Sequence, residues 1–363
     1  MKVKKKILMI NLGKSYGGAE KLIENIMLGL KDEFDISIAI AIAIDGEFRK
    51  KSEVIKPFKT LLLNNNFKNL IKNILIIRNY IKKEKVDIIH CHGNPSNIIG
   101  IVLKKICKVK YINTVHSDLM YEFQGIKKFI YPKIEKLTLK YADFIVPVSN
   151  DLKNKLIYRN GKKTEKIRLI YNGIRIDTKR DNVKNKNEKF KFLFVGRLVE
   201  IKNVELLLQG LNYIKNKGKD FVCNIIGDGE DLEKLKSMTK DLELDSKVRF
   251  LGYRNDIQEF MIESDALILT SKMEGIPITI IEAFANKLPV ISTAVGGILE
   301  MIVNEETGIL FDLENKDEFN KILLDLVENK YDLDKISDNA YKEYLKKWNH
   351  KALTDGYKYI YLK

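Results

Sequence analysis

The chain of 363 residues is 45% hydrophobic and 31% charged, with six prolines and a formal charge of +15. Such a composition supplies core enough for two domains and excludes disordered and collagenous chains. Three cysteines, Cys91, Cys107 and Cys223, lie scattered without a Cys-x-x-Cys pair, which excludes a disulfide framework and a zinc cluster and points to a reducing, cytoplasmic compartment.

Taken in chain order, the first apolar stretch, Ile7 to Leu12, is broken by Asn11 and is too short for the core of a secretory signal. The longest apolar run, Ile36 to Ile44, is interrupted by Ser37 and covers about half the length that a bilayer-spanning helix needs. Short aliphatic or β-branched runs alternate with longer amphipathic stretches, the signature of parallel sheets covered by helices. Strands are expected at Ile7–Leu12, Ile36–Ile44, Val86–Cys91, Lys110–Val115, Phe144–Val148 and Arg168–Tyr171. A second series is expected at Phe190–Val195, Phe221–Ile226, Lys247–Leu251, Ala266–Thr270 and Pro289–Ser292. These runs are nearly continuously apolar, as suits strands buried on both faces. Between the two series, the polar segment from Asp177 to Lys189 reads as a linker. The fold class is therefore α/β, two doubly wound Rossmann-like domains facing a central cleft, with ligand expected at the carboxyl ends of the strands. The domains are placed at 1–177 and 190–340, joined by a linker at 178–189, with an aromatic C-terminal helix at 341–363 suited to crossing back to the first domain.

Chemistry-bearing residues cluster after expected strands. Gly13 to Glu20 forms a glycine-rich loop opening a helix, where free N–H groups favour an anion and where a plain strand-to-helix turn is the competing reading. Leu8 stands where a phosphate-binding P-loop needs glycine, and glycines at 13, 17 and 18 do not make a dinucleotide fingerprint. In His90-Cys91-His92 the two imidazoles share one strand face. No carboxylate adjoins them, so a polar strand end is preferred to a metal site. His116 ends another strand, and a structural and a functional role are equally open for it.

In the second series, Arg197 and Lys202 flank a strand end and a helix start, where a diphosphate can receive two cations and backbone N–H donors. Glu274 and Glu282 are separated by seven residues in a loop leading into a helix, and Thr279-x-x-Glu282 also fits a capping box. A second glycine-rich turn, Gly296-Gly297, follows the last expected strand.

In their order and spacing these pieces resemble the retaining glycosyltransferases of family 4 (group 1), of the bacterial polysaccharide and lipopolysaccharide type, with the two-Rossmann GT-B fold. The resemblance covers nearly the whole chain. It rests on the loop Gly17-Gly18-Ala19-Glu20, Ile170-Tyr171-Asn172-Gly173-Ile174, Val195-Gly196-Arg197-Leu198, Gly227-Asp228-Gly229, Phe250-Leu251-Gly252 and the Glu274/Glu282 pair. It implies that Arg197 and Lys202 hold the donor diphosphate, that Glu282 accepts the ribose hydroxyls, and that Glu274 faces the donor sugar. Pro277, Ile278 and Thr279 would offer backbone N–H groups to sugar or phosphate, Phe250, Leu251 and Gly252 would border the nucleobase, and Gly17 and Gly18 would let the first loop close on the phosphates. His116 would sit by the anomeric carbon. Front-face attack, with the leaving phosphate helping to take the acceptor's proton, is the implied route to retention, and Glu274 need not be a covalent nucleophile. No metal and no cofactor is expected, because two fixed cations suit the departing diphosphate. Lys287, Leu299 and the pair Lys162/Lys163 depart from the family pattern without removing a proposed ligand.

The charge adds a partner expectation. Residues 1–180 hold 37 Lys and Arg against 17 Asp and Glu, net +20, whereas residues 181–363 hold 27 against 32, net −5. A one-sided positive field suits a polyanionic partner. Asn66–Lys85 and Tyr121–Lys140 mix lysines with apolar side chains, which fits either interfacial helices on anionic lipid or solvated lysine faces. The expected reaction moves a sugar, by default from a UDP-sugar, to a lipid-linked or oligosaccharide acceptor in cell-surface polysaccharide synthesis. The expected place is the cytoplasm, peripheral on the inner membrane. A nucleotide-sugar 2-epimerase of the same fold, a binding protein without catalysis and a basic nucleic-acid-binding protein are the competing readings, although no nucleic-acid-binding motif accompanies the lysines.

Overall fold

Aliphatic runs bounded by polar turns form the central strands, and amphipathic helices that follow most of them cover the sheets. The computed structural model describes residues 3–13, 17–41, 58–64, 67–118, 127–160, 165–176 and 189–363. The chain divides into two compact units, Met1–Ile174 with His350–Lys363, and Arg175–Asn349.

In the first unit, β1 (Lys6–Asn11), β2 (Asp35–Ala41), β3 (Lys59–Leu63), β4 (Ile88–His92), β5 (Lys110–Val115) and β6 (Phe144–Pro147) form a sheet in the order β3-β2-β1-β4-β5-β6, parallel throughout. Its helices are α1 (Gly18–Leu30), α2 (Leu70–Glu84), α3 (Asn94–Cys107), α4 (Lys127–Tyr141) and α5 (Asn150–Asn160). The second unit repeats the plan with β7 (Phe190–Val195), β8 (Phe221–Ile226), β9 (Val248–Phe250), β10 (Ala266–Leu269), β11 (Val290–Thr293) and β12 (Ile309–Phe311), ordered β12-β11-β10-β7-β8-β9. Its helices are α6 (Val204–Asn216), α7 (Leu232–Asp241), α8 (Ile257–Glu263), α9 (Ile278–Ala285), α10 (Lys316–Val327) and α11 (Leu333–Glu343). Each sheet starts at its centre, runs to one edge and returns to the other side, so strand order reverses between β1 and β4 and again between β7 and β10. Ligands bind beyond the carboxyl ends of strands at such points.

The second core is aromatic and aliphatic. Phe192 meets Phe221 edge-on with ring centroids 6.0 Å apart, and Phe311 stacks on Phe319 at 4.4 Å. The edge-on contact lies in the range favoured by the ring quadrupole. Residues 341–349, including a π-helical turn over Tyr344–Trp348, belong to the second unit, and α12 (His350–Leu362) belongs to the first. There α12 packs on α1. A Cβ at Gly29 would lie 2.2 Å from Thr354 Cγ2, so only glycine permits this approach. Lys5 Nζ donates to the carbonyls of Tyr361 and Leu362 at 3.0 and 3.1 Å, and Lys110 Nζ donates to that of Ile360 at 2.5 Å. Two ammonium groups thus satisfy the last orphan carbonyls of the helix.

Three sequence expectations change. Arg168–Tyr171 is not a strand: Ile167 forms one isolated bridge with Ile145, and the chain then follows β6 through scattered hydrogen bonds. The edge strands β3 and β12 were not anticipated. The run from Ile36 yields a strand that ends at Ala41, and residues 42–44 lie outside the described residues, as do 177–188 of the expected linker. No helix among the described residues is long and apolar enough to cross a membrane.

Candidate active site

In the second unit the site grows from the ends of β7 and β10. β7 runs into Gly196 and the exposed Arg197, and a single 3-10 turn, Glu200–Lys202, leads through Asn203, at φ 50°, into α6. Two hydrogen bonds lock this turn to the end of β10: Thr270 Oγ1 donates to the Lys202 carbonyl at 3.1 Å, and the Lys272 N–H donates to the Ile201 carbonyl at 2.8 Å. Lys202 Nζ is thereby delivered to Glu274, whose Oε1 accepts from it at 2.5 Å and from Ser271 Oγ at 2.6 Å. Both side chains of the ion pair are largely withdrawn from solvent, where Coulomb attraction is less screened than at a surface.

The backbone at Glu274 is set by the second glycine turn. The Gly297 N–H donates to the Glu274 carbonyl at 3.1 Å. Cβ atoms at Gly296 and Gly297 would fall 2.1 and 2.0 Å from the carbonyl oxygens of Glu274 and Gly275. On the other side of the β7 turn, Gly227, at φ 144°, brings its loop so close to Gly196 that a Cβ would lie 1.8 Å from the Gly196 carbonyl. The Gly227 N–H also donates to the Gly252 carbonyl at 2.8 Å, which joins the half-buried Leu251 and Gly252 to the same rim.

The α9 terminus differs from expectation. The N-cap is Pro277, and no side chain caps the helix. Thr279 is the second helical residue and Glu282 the fifth, so the expected capping box does not form and Glu282 lies beyond the first turn. Pro277 has no N–H to offer, and the first-turn N–H groups of Ile278 and Thr279 have no acceptor among the described residues. Glu282 is buried, at 9% exposure.

In the first unit, β1, β4 and β5 end side by side. Lys14–Tyr16 of the glycine loop lie outside the described residues. Gly17 caps α1, and Glu20 fastens the loop at both ends: its Oε2 accepts from the Gly17 N–H at 2.8 Å and its Oε1 from Asn11 Nδ2 at 2.8 Å. Gly18, the first helical residue, is exposed. His92, on β4, and His116, just beyond β5, meet with Nδ1 3.1 Å from Nε2. Behind them, His90 is held between Tyr361 OH at 2.7 Å and Thr114 Oγ1 at 2.8 Å, and the Thr114 hydroxyl also meets Tyr357 OH at 2.9 Å. Burial pushes His90 down to about 3 and His116 down to about 4, and holds His92 well below its ordinary value. The cause in each case is desolvation of the imidazolium, so all three are neutral near pH 7. No group of three or more His, Cys, Asp or Glu side chains among the described residues is arranged to hold a metal ion.

The structure thus brings Lys202 to Glu274 and gathers Gly17, Gly18 and His116 at one end of the first sheet. Ser271, Glu20 and His92 are the polar partners that the sequence reasoning did not assign. For His92 a signal existed in its i, i+2 spacing from His90. For Ser271 there was none beyond its place after β10.

Residues 16–178 match the sequence profile described as Glycosyltransferase Family 4, and residues 175–343 match that described as Glycosyl transferases group 1. The UDP-Gal:alpha-D-GlcNAc-diphosphoundecaprenol alpha-1,3-galactosyltransferase of Escherichia coli is 29% identical over 84% of this chain and 82% of its own length. The capsular polysaccharide biosynthesis glycosyltransferase CapM of Staphylococcus aureus is 28% identical over 78% of this chain and 77% of its own. Among solved structures, Anabaena HepE in complex with UDP-glucose shares the fold with a TM-score of 0.83 at 18% identity, covering 99% of this chain and 100% of that one. With both profiles matched in sequence order and two doubly wound sheets beneath them, the chain belongs to the family 4, group 1 glycosyltransferases of GT-B fold.

Proposed function

We propose that this glycosyltransferase moves a hexose-type sugar from a UDP-sugar to a lipid-diphosphate-linked or oligosaccharide acceptor, with retention at the anomeric carbon, in cell-surface polysaccharide synthesis. The observation that carries the donor assignment is the Lys202–Glu274–Ser271 cluster beside Arg197 at the ends of β7 and β10. An ammonium oriented by a carboxylate, the exposed Arg197 guanidinium and two N–H groups at α9 without an acceptor among the described residues suit a diphosphate. Galactosyl transfer to a diphosphoundecaprenol-linked sugar by the Escherichia coli relative and the capsular polysaccharide role of the Staphylococcus aureus relative support the acceptor class and the biosynthetic setting.

In the proposed reaction the bond from the anomeric carbon to the β-phosphate oxygen breaks. The acceptor oxygen bonds to the same face of that carbon, and its proton passes to the departing diphosphate. Arg197 and Lys202 neutralise the charge that develops on the leaving group. Glu274 holds Lys202 in register and lies against the cationic sugar, Glu282 accepts from the ribose, and Leu251 and Gly252 border the base. Pro277 lines the loop whose next two residues donate to phosphate. Gly17 and Gly18 admit the phosphates to the first loop, and His116 is supplied to the reacting end by the first unit. Because two cations of the chain carry the charge, transfer is expected to need no metal and no cofactor. The setting we assign is the cytoplasmic face of the inner membrane.

The test is thermal stabilisation by UDP, GDP and ADP and by their sugar conjugates, with and without EDTA. Ligand at a hundred times its Kd adds about 2.7 kcal/mol. Stabilisation by one diphosphate, unchanged by EDTA, is expected. Glu274→Ala should abolish transfer yet keep nucleotide affinity, whereas Arg197→Ala or Lys202→Ala should weaken it. Normal transfer by Glu274→Ala would sink the assignment.

A further inference from the structure

We propose that His92 is a positioning residue that fixes the tautomer of His116, so that His116 presents Nδ1–H and acts toward substrate as a neutral hydrogen-bond donor and not as a base. The inference rests on the assignment of His116 to the reaction and deepens it.

The 3.1 Å contact between His92 Nδ1 and His116 Nε2 must hold one proton. Two protons would collide there, and two bare lone pairs would repel. An imidazolium at either ring is opposed by the same burial that keeps both neutral. Two arrangements remain. If His116 donates from Nε2, neutral His92 must carry its own proton on Nε2. That nitrogen is fully buried and has no hydrogen-bond partner among the described residues. If His92 donates from Nδ1, its Nε2 is a bare lone pair and no N–H is stranded. A buried N–H without an acceptor is the rarer omission in folded proteins, so the second arrangement is selected. Its corollary follows from imidazole chemistry: a neutral His116 that accepts at Nε2 carries its hydrogen on Nδ1.

The surroundings remove the escape routes. His90, the ring nearest to His92 at 4.2 Å between centroids, has both nitrogens engaged, by Tyr361 and by Thr114, so it offers His92 no acceptor. His92 is therefore held between a saturated neighbour and His116. A ring whose one lone pair is already claimed and whose other nitrogen is protonated cannot take the acceptor's proton. It can donate to a hydroxyl or phosphate oxygen, which leaves the proton from the acceptor to the departing diphosphate.

The test is the two-bond nitrogen–proton coupling pattern of the full-length protein labelled with 15N-histidine, saturated with UDP at pH 7. The chain holds four histidines, so single substitutions assign the spectrum. An unprotonated His116 Nε2 with a protonated Nδ1 is expected. A protonated Nε2, or averaging between the two forms, overturns the proposal, and the wild-type spectrum alone decides this. His92→Asn keeps an N–H donor near the Nδ1 position, whereas His92→Phe removes it. His92→Phe should shift the His116 proton to Nε2 and lower kcat about tenfold with donor KM little changed, and His92→Asn should restore most of both. An unchanged His116 spectrum in His92→Phe also overturns it. If His116→Ala transfers sugar normally, it is the placement of His116 in the reaction that fails, and the spectrum reports that failure separately from the tautomer.

Discussion

Glu274 Oε1 accepts two short hydrogen bonds, from an ammonium and a hydroxyl, and its main-chain carbonyl accepts a third from Gly297. The side chain is thus aimed from one direction and the backbone fixed from another. Because a Cβ at Gly297 would approach the Gly275 carbonyl to 2.0 Å, Gly297→Ala must displace the Glu274–Gly275 loop. Misplacement on the ångström scale costs about a hundredfold in rate, so kcat should fall by about that factor. UDP affinity should fall less, since Arg197 and the α9 terminus do not depend on that contact. Steady-state kinetics beside a UDP titration checks both. An unaltered kcat would show that the glycine pair does not position Glu274.

At the scale of elements, α12 is the member whose removal reaches furthest, because two of its tyrosines close the hydroxyl chain around His90. Tyr361→Phe leaves the buried His90 Nδ1 without its partner, at a cost of about 1–3 kcal/mol. Tyr359→Phe, on the exposed side of the same helix, should cost under about 0.5 kcal/mol. Urea midpoints of the two variants make the comparison, and equal midpoints would remove α12 from any supporting role. The central strands were legible in sequence because burial on both faces leaves unbroken aliphatic runs, as in Ile7–Ile10 and Ala266–Leu269. The edges were not. Lys59–Leu63 is a short run with four part-exposed or exposed members before its buried end, and Ile309–Phe311 has only three residues. Arg168–Tyr171 failed for the opposite reason, since an apolar run there passes β6 without forming a ladder. The site was legible where glycine, charge and strand end coincide, as at Gly196-Arg197. The imidazole pair was not, because it depends on β4 and β5 lying side by side, and neither was the Ser271–Glu274 contact, because two residues three apart in a loop carry no periodic signal.

For the whole molecule the uneven charge is the dominant property. On α2, Ile71 is 74% and Leu75 50% exposed, one turn apart, and Lys68 and Lys72 flank them on the exposed surface. An apolar pair rimmed by ammonium groups suits the boundary of an anionic bilayer. Each lysine near such a surface contributes about 1 kcal/mol, weakened by salt. Sedimentation with vesicles containing phosphatidylglycerol should therefore show binding that declines as salt rises and that drops severalfold in Ile71→Ser/Leu75→Ser. Binding that survives high salt and the double substitution would place the membrane contact elsewhere.

Because α12 completes the first unit from beyond the whole of Arg175–Asn349, the first unit has all its parts only when the last helix has been made. On the ribosome the contiguous second unit has all its strands available while the first still lacks the helix that covers α1 and anchors His90. The first unit is therefore expected to finish no earlier than the second, against the usual order of amino-terminal domain first. A released chain ending near residue 349 would carry the whole second unit beside a first unit exposing Gly29 and the His90 pocket, the surface that a chaperone would meet.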